Sequence, residues 1–303
     1  MLTAPAHRAG AFSIPLCHHC PMQDEEWLLE EKYGGKKTEE FEADRRRLAL
    51  GEPVAYVIGW QPFLGLKIFL DSRPLIPRPE TEWWTEQLLS SVCVAQANSP
   101  EERTERDGAS KSNFSAEKYA VPKAGSPVRP STFLDLCAGS GAIGCAALAR
   151  LPDARVYFGE LDPMHEMTIV KNIRENGLDA SRADIRIGDL FTPFPAGMRF
   201  DVIAANPPYI PEARVLPKSV TEWEPESALR AGADGLSLIR RIADELPARL
   251  ERNGAAWIEC DSLSIGAARE LFLKRGLTVE IRTDQYGAPR VLVCRHTRAR
   301  SAQ

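Results

Sequence analysis

No stretch of this 303-residue chain approaches the roughly 18 consecutive apolar residues that crossing a bilayer requires, so no membrane partner is expected. No secretory leader is expected either, because Pro15 interrupts the only apolar run of the opening segment MLTAPAHRAGAFSIPLCHHC. Acidic residues are absent before Asp24, which is the charge pattern of a short organellar transit segment. The cytoplasm is therefore the first expected location and the mitochondrion the second. A basic excess is lacking: 38 Lys and Arg face 42 Asp and Glu, for a net charge of -4. General nucleic-acid binders carry the opposite balance, so no stable nucleic-acid partner is expected. The seven cysteines are odd in number and scattered, several inside apolar runs such as FLDLCAGSG and RVLVCRH, and read as buried reduced thiols. Cys17-His18-His19-Cys20 has metal-knuckle spacing, but no second pair follows and four adjacent residues surround a tetrahedral ion poorly; no metal is expected.

What remains is an ordinary folded-protein composition, 44% hydrophobic and 26% charged, without internal repeats. Residues 1–23 read as a flexible leader. Residues 24–53 read as a small helical unit, with Trp27, Leu28, Leu29, Phe41, Leu48 and Leu50 as its apolar face and a break at Gly34-Gly35. From 54 to 77 the alternation and turn residues predict a linking hairpin. Pro77 to Glu82 opens a helix whose buried stripe would be Trp83, Trp84, Leu88 and Leu89. Residues 95–131 are poor in large apolar side chains and rich in Ser, Pro, Gly and charge, which predicts a low-complexity insertion. Strand and helix then alternate to the end. The pattern predicts an α/β domain over 78–303, a mostly parallel sheet with helices on both faces and a ligand site at the strands' carboxyl ends.

Gly139-Ser140-Gly141-Ala142-Ile143-Gly144 spells G-x-G-x-x-G between a strand and a helix, and Glu160 ends the next strand. Glycines allow close backbone approach to a ligand, and a carboxylate at the second strand's end accepts ribose hydroxyls. By itself the motif fits a dinucleotide dehydrogenase or an S-adenosylmethionine-dependent methyltransferase. Asp135, inside the first strand, suits a ligand with an ammonium group and would repel a pyrophosphate. Asp189, ending the third strand, is placed to accept from an adenine amino group. Three carboxylates at successive strand ends favour S-adenosylmethionine.

Asn206-Pro207-Pro208-Tyr209 follows the fourth strand, at the same sheet edge as the glycine loop. A planar amide or exocyclic amino nitrogen is a poor nucleophile because its lone pair is delocalised. The Asn206 side-chain oxygen and the Pro207 carbonyl can accept both of its hydrogens and hold it for attack, while Tyr209 stacks on the flat group. The catalysis would be positioning and electrostatics, without a covalent intermediate.

NPPY, DLCAGSGAIG, GEPVAYVIGWQPFLGLKI and LIPRPETE together resemble the HemK/PrmC protein-glutamine methyltransferases, over roughly residues 24–92 and 132–296. The resemblance implies a class I S-adenosylmethionine methyltransferase fold: a Rossmann-like, mostly parallel seven-stranded sheet with a small helical N-terminal domain and a linking hairpin. It implies S-adenosyl-L-methionine as cofactor and a class-1 peptide release factor as protein substrate, methylated on the glutamine of its Gly-Gly-Gln loop. The helical domain would help grip that factor. The family's cofactor loop falls on Cys137, Ala138, Gly139, Ser140 and Gly141, its ribose carboxylate on Glu160, and its adenine side on Asp189 and Leu190. Its amide clamp falls on Asn206 to Tyr209, with Asn206 also beside the cofactor, and its Glu-Pro step on Glu224-Pro225. Cys137 stands where glycine is common, and Glu160 where aspartate is commoner. The rival readings are an amino-methyltransferase acting on adenine or cytosine, and a non-catalytic scaffold that keeps the fold; a nicotinamide dehydrogenase is disfavoured by Asp135.

Overall fold

The computed structural model describes residues 21–97 and 130–297. The leader up to residue 20, with its Cys17–Cys20 cluster, and most of the 95–131 insertion lie outside the described residues. Among those described, no helix is long and apolar enough to cross a membrane.

Helix α1 (Pro21–Tyr33) stops at Gly34-Gly35, and α2 (Glu39–Ala49) starts at Thr38, whose hydroxyl oxygen accepts from the Phe41 N–H at 3.2 Å. Leu28 and Phe41 pack with Val57 and Ile58 into a small separate core. Residues 54–58, expected to begin the hairpin, instead form a helix, α3 (Val54–Ile58), ended by Gly59 at φ 97°. Their Val, Tyr and Ile favour strand, but burying Ala55 to Ile58 together needs all sides of a helical turn, and tertiary packing overrides the local preference. The hairpin proper is β1 (Trp60–Phe63) and β2 (Leu66–Phe69), paired antiparallel. Helix α4 (Pro79–Ala97) runs into the segment read as insertion; Trp84, Leu88 and Leu89 are buried, while Trp83 is only partly so.

The alternating half gives β3 (Thr132–Leu136), α5 (Ala142–Arg150), β4 (Arg155–Glu160), α6 (Glu166–Glu175), β5 (Ala183–Ile187), β6 (Phe200–Ala205), α7 (Lys218–Thr221), α8 (Ser237–Arg249), β7 (Leu250–Glu259), α9 (Ile265–Leu273), β8 (Leu277–Thr283) and β9 (Pro289–His296). The sheet order is β5-β4-β3-β6-β7-β9-β8, with β9 antiparallel to both neighbours and the other pairs parallel. Apolar residues face both ways along the central strands. Phe133 and Phe158 join a core with α4, α5 and α6, while Leu134, Leu136 and Ile203 join one with α8 and α9. Burial on both faces explains why these strands read as continuous apolar runs.

Two features of this layout position the site. The chain leaves β3 toward β4 and β5 on one side, then returns to β6 on the other, opening a crevice at the carboxyl ends. The hairpin is then fastened beside that crevice by Asn172 of α6 and by Asn176, which caps that helix. The Asn172 amide accepts from Phe69 N–H at 2.7 Å and donates to Phe69 and Ser140 carbonyls at 3.1 and 2.8 Å. Asn176 makes the same pair of bonds with Lys67. Side-chain amides thus imitate a missing strand along β2 and tie it to the glycine loop.

Candidate active site

A cavity opens where β3, β4, β5 and β6 end. Cys137, Ala138, Gly139 and Ser140 line its β3 side, Glu160 and Asp162 its β4 side, Asp189 and Leu190 its β5 side, and Asn206 and Pro208 its β6 side. The loop can lie this flat because Gly141 takes φ 76°, a left-handed value that side chains resist, and because Gly144 lets α5 settle on β4. A Cβ at Gly144 would overlap the Phe158 ring. Cys137 is itself left-handed at φ 62°, and burial, then Glu160, pushes its thiol up, so it stays protonated. Glu160 is buried; Oε2 accepts from Gly139 N–H at 2.7 Å and Oε1 from Asp162 N–H at 2.9 Å. Each oxygen keeps a lone pair for a ligand hydroxyl. The Asp189 carboxylate is 44% exposed and accepts from Arg241 at 2.6 Å through one oxygen, leaving the other for a ligand. Leu75, Leu161 and Leu238 add apolar walls. Among the described lining residues there is no Lys or Arg, while Glu160, Asp162 and Asp189 are acidic, so the cavity favours a ligand that carries positive charge.

On the far side of Asn206 the contacts are made by side chains. The Asn206 amide N–H donates to Thr81 Oγ1 at 3.2 Å, and the Thr81 hydroxyl donates to Glu259 Oε2 at 2.7 Å. The Trp84 indole N–H donates to the same oxygen at 2.7 Å, and the Tyr209 hydroxyl to Oε1 at 2.9 Å. Glu259, at the end of β7, is 1% exposed; burial pushes its carboxyl up, and the three donors pull against that. Burial, then the Glu259 charge, raises the Tyr209 phenol well above its ordinary range. Over this arrangement the segment after Tyr209 folds back. Ile210 bridges to Arg230, Glu224 accepts from Arg78 at 2.5 Å and from Ile76 N–H at 3.2 Å, and Ser227 and Ala228 reach the cavity wall.

A release factor glutamine methyltransferase from Rhodopirellula baltica is 31% identical over 251 residues, 82% of this chain and 75% of that protein. The chain belongs to that family. A second member, from Bordetella pertussis, is 33% identical over 81% of this chain and 78% of its own. A family model described as "Conserved hypothetical protein 95" matches residues 97–241. Among solved structures, a methyltransferase from Pyrococcus furiosus is 16% identical with a TM-score of 0.42 over 55% of this chain and 75% of its own. The mostly parallel seven-stranded sheet described above, with helices packed on both faces, is the architecture expected from the sequence.

Within this release factor glutamine methyltransferase family member, the structure gathers Cys137, Ala138, Gly139, Ser140, Glu160, Asp189, Leu190, Asn206 and Pro208 around one cavity. Other residues singled out from sequence fall elsewhere. Asp135 is fully buried behind the loop; one oxygen accepts from Gly144 N–H at 2.8 Å and the other has no partner. Burial raises its carboxyl to about 8, so it is largely neutral near pH 7 and braces the start of α5. That corrects the reading of Asp135 as the counter-ion of an ammonium group. Gly141 shapes the turn without lining the cavity, as Pro207 joins its neighbours, and the Tyr209 hydroxyl is committed to Glu259. Thr81, Glu259 and Trp84 also join this arrangement, and local sequence does not mark them: Thr81 falls in a helix opening, and Trp84 reads as core. His165 is unmarked too. It lines the cavity with Nδ1 held at 2.8 Å from the Ser72 hydroxyl, and its only signal was a lone histidine after the second strand.

Proposed function

We propose that this chain transfers the methyl group of S-adenosylmethionine to the side-chain amide nitrogen of the glutamine in the Gly-Gly-Gln loop of a class-1 peptide release factor. The observation that carries the reading is Asn206. Its N–H is spent on Thr81, so its carbonyl oxygen is the part left to accept from an incoming NH2 group, at the edge of an acidic cavity. When bound, the cofactor supplies a methyl group on a positively charged sulfur. The residues present fit it: the glycine-loop backbone for its amino-acid end, Glu160 for ribose hydroxyls, and Asp189 with Leu190 for adenine.

Asn206 and the Pro207 carbonyl accept the two amide hydrogens, hold the group flat and turn its lone pair toward the cavity. As the N–CH3 bond forms, the S–CH3 bond breaks and the sulfur would leave as a neutral thioether. One of the two amide hydrogens is given up to solvent after transfer, so that positioning rather than a dedicated base carries the step. Leu75, Pro77 and Leu238 give that cavity apolar walls. Residues 24–53 would grip the release factor, and 54–77, which carries α3 and the β1–β2 hairpin, would link them to a catalytic domain from 78 onward. Arg47 and Arg73, which share Glu52 at 2.8 and 2.9 Å, would couple the two. The cytoplasm is the fitting compartment, with the mitochondrion second.

The test is transfer of labelled methyl from S-adenosylmethionine to a purified class-1 release factor, run beside its Gln→Ala loop variant and duplex DNA. Label on the wild-type factor alone is the expected result. Label on DNA alone would assign the clamp to a base, and no label with cofactor still bound would leave a scaffold.

A further inference from the structure

A carboxamide has two nearly identical faces. Turned one way, Asn206 offers an oxygen to the acceptor; turned the other, it offers an NH2 group to another NH2 group, which cannot be held. Nothing in the NPPY loop alone decides between them. The decision comes from outside it. The Thr81 hydroxyl carries one hydrogen and gives it to Glu259 at 2.7 Å, so toward Asn206 it can only accept. Asn206 must therefore point its N–H at Thr81, 3.2 Å away, and its oxygen the other way. Glu259 holds Thr81 to that role because the Trp84 indole N–H, which can only donate, meets the same oxygen at 2.7 Å, and the Tyr209 hydroxyl donates to the other at 2.9 Å, so both oxygens are used as acceptors.

We propose that Glu259, acting through Thr81, sets which face of the Asn206 carboxamide meets the acceptor, and through Tyr209 fixes the other end of the same tetrapeptide. The proposal rests on the reading that the acceptor is a planar NH2 group. Thr81 and Glu259 are positioning residues: neither is asked to touch the transferring methyl. The relay joins α4, β6 and β7, so it forms only when the sheet and the helix that precedes it have docked.

Thr81→Val separates this role from packing, since it keeps the shape, removes the hydroxyl and leaves Glu259 two donors. The expected result is a fall in kcat of tenfold or more on the release factor, with the cofactor dissociation constant within about twofold of wild type. Thr81→Ser should recover most of the loss. Equal turnover in Thr81→Val, or an equal loss in Thr81→Ser, would overturn the proposal.

A second measurement needs no acceptor. The side-chain amide protons of Asn206, assigned by their loss in Asn206→Ala, should show slowed exchange in wild type and in Thr81→Ser, and faster exchange in Thr81→Val. Identical exchange in Thr81→Val would defeat the relay even if transfer fell. If wild-type protein failed to label the release factor, the functional reading would fail while the exchange comparison still decided the relay.

Discussion

The two halves of the cavity are built by different means. On the β3–β4–β5 side the ligand surface is mostly backbone, shaped by a glycine turn and one carboxylate that neighbouring N–H groups hold in place. On the β6–β7 side it is a chain of side chains, Asn206 to Thr81 to Glu259, with Trp84 and Tyr209 attached. The first half is local, and substitution there should act on cofactor affinity. The second is assembled from distant segments, and substitution there should act on turnover. That division follows from what each half does: the cofactor offers many atoms to a generous surface, whereas the acceptor nitrogen has to be turned to one orientation.

Asn206→Ala should break the division most sharply. Losing the oriented acceptor should lower kcat on the order of 100-fold or more, with cofactor affinity nearly unchanged. Parallel turnover and cofactor-binding measurements check it; normal turnover would end the clamp mechanism.

Gly235→Ala comes next. Gly235 sits at φ 74°, and a Cβ there would overlap the Tyr209 carbonyl and crowd Pro211, so the backbone just after the clamp must move. The expected cost is roughly 1–3 kcal/mol of stability and about a tenfold loss in kcat. A thermal melt and the same transfer assay measure both; a loss of cofactor affinity larger than the loss in kcat would mean the halves are not separable.

Asp189→Ala tests the other side, with a smaller effect. Its carboxylate is nearly half exposed and already shared with Arg241. The expected change is therefore about fivefold in the cofactor dissociation constant, roughly 1 kcal/mol, with kcat at saturating cofactor unaffected. Titration calorimetry decides it, and an unchanged constant would remove Asp189 from the adenine site.

The same contrast explains what could be read in the sequence. The glycine loop, Glu160 and Asp189 lie at the ends of consecutive strands, so short-range spacing announced them, and the strand–helix alternation announced the sheet. Glu259 and Thr81 are 178 residues apart, and Asn206 and Thr81 are 125 apart; no local pattern records such a contact. Trp84 reads as core because it is core, and only its indole N–H reveals a second role. The helix at 54–58 was hidden for a related reason, since a strand-like run became a helix where burial on all sides demanded it. Asp135 misled in the opposite direction: its position beside the loop was right, but which way a strand residue faces depends on the sheet's pleat.

Asp135→Asn should have the least effect on transfer and the clearest effect on stability. The folded carboxyl titrates at about 8, against 3.8 for the ordinary group, because burial outweighs the single N–H bond from Gly144. Below about pH 4 the group is protonated in both states and costs nothing. Between about pH 4 and 8 the unfolded chain releases the proton while the folded chain keeps it, so this residue's contribution falls as pH rises, and it levels off once both are ionised. An asparagine can accept from Gly144 without titrating, so the variant's stability should lose that downward slope while cofactor affinity stays within about twofold. Denaturant unfolding across that pH window measures the slope. A tenfold loss of cofactor affinity in Asp135→Asn would instead place the carboxylate against the ligand, and would make the backbone half of the cavity depend on a buried side chain as the other half does.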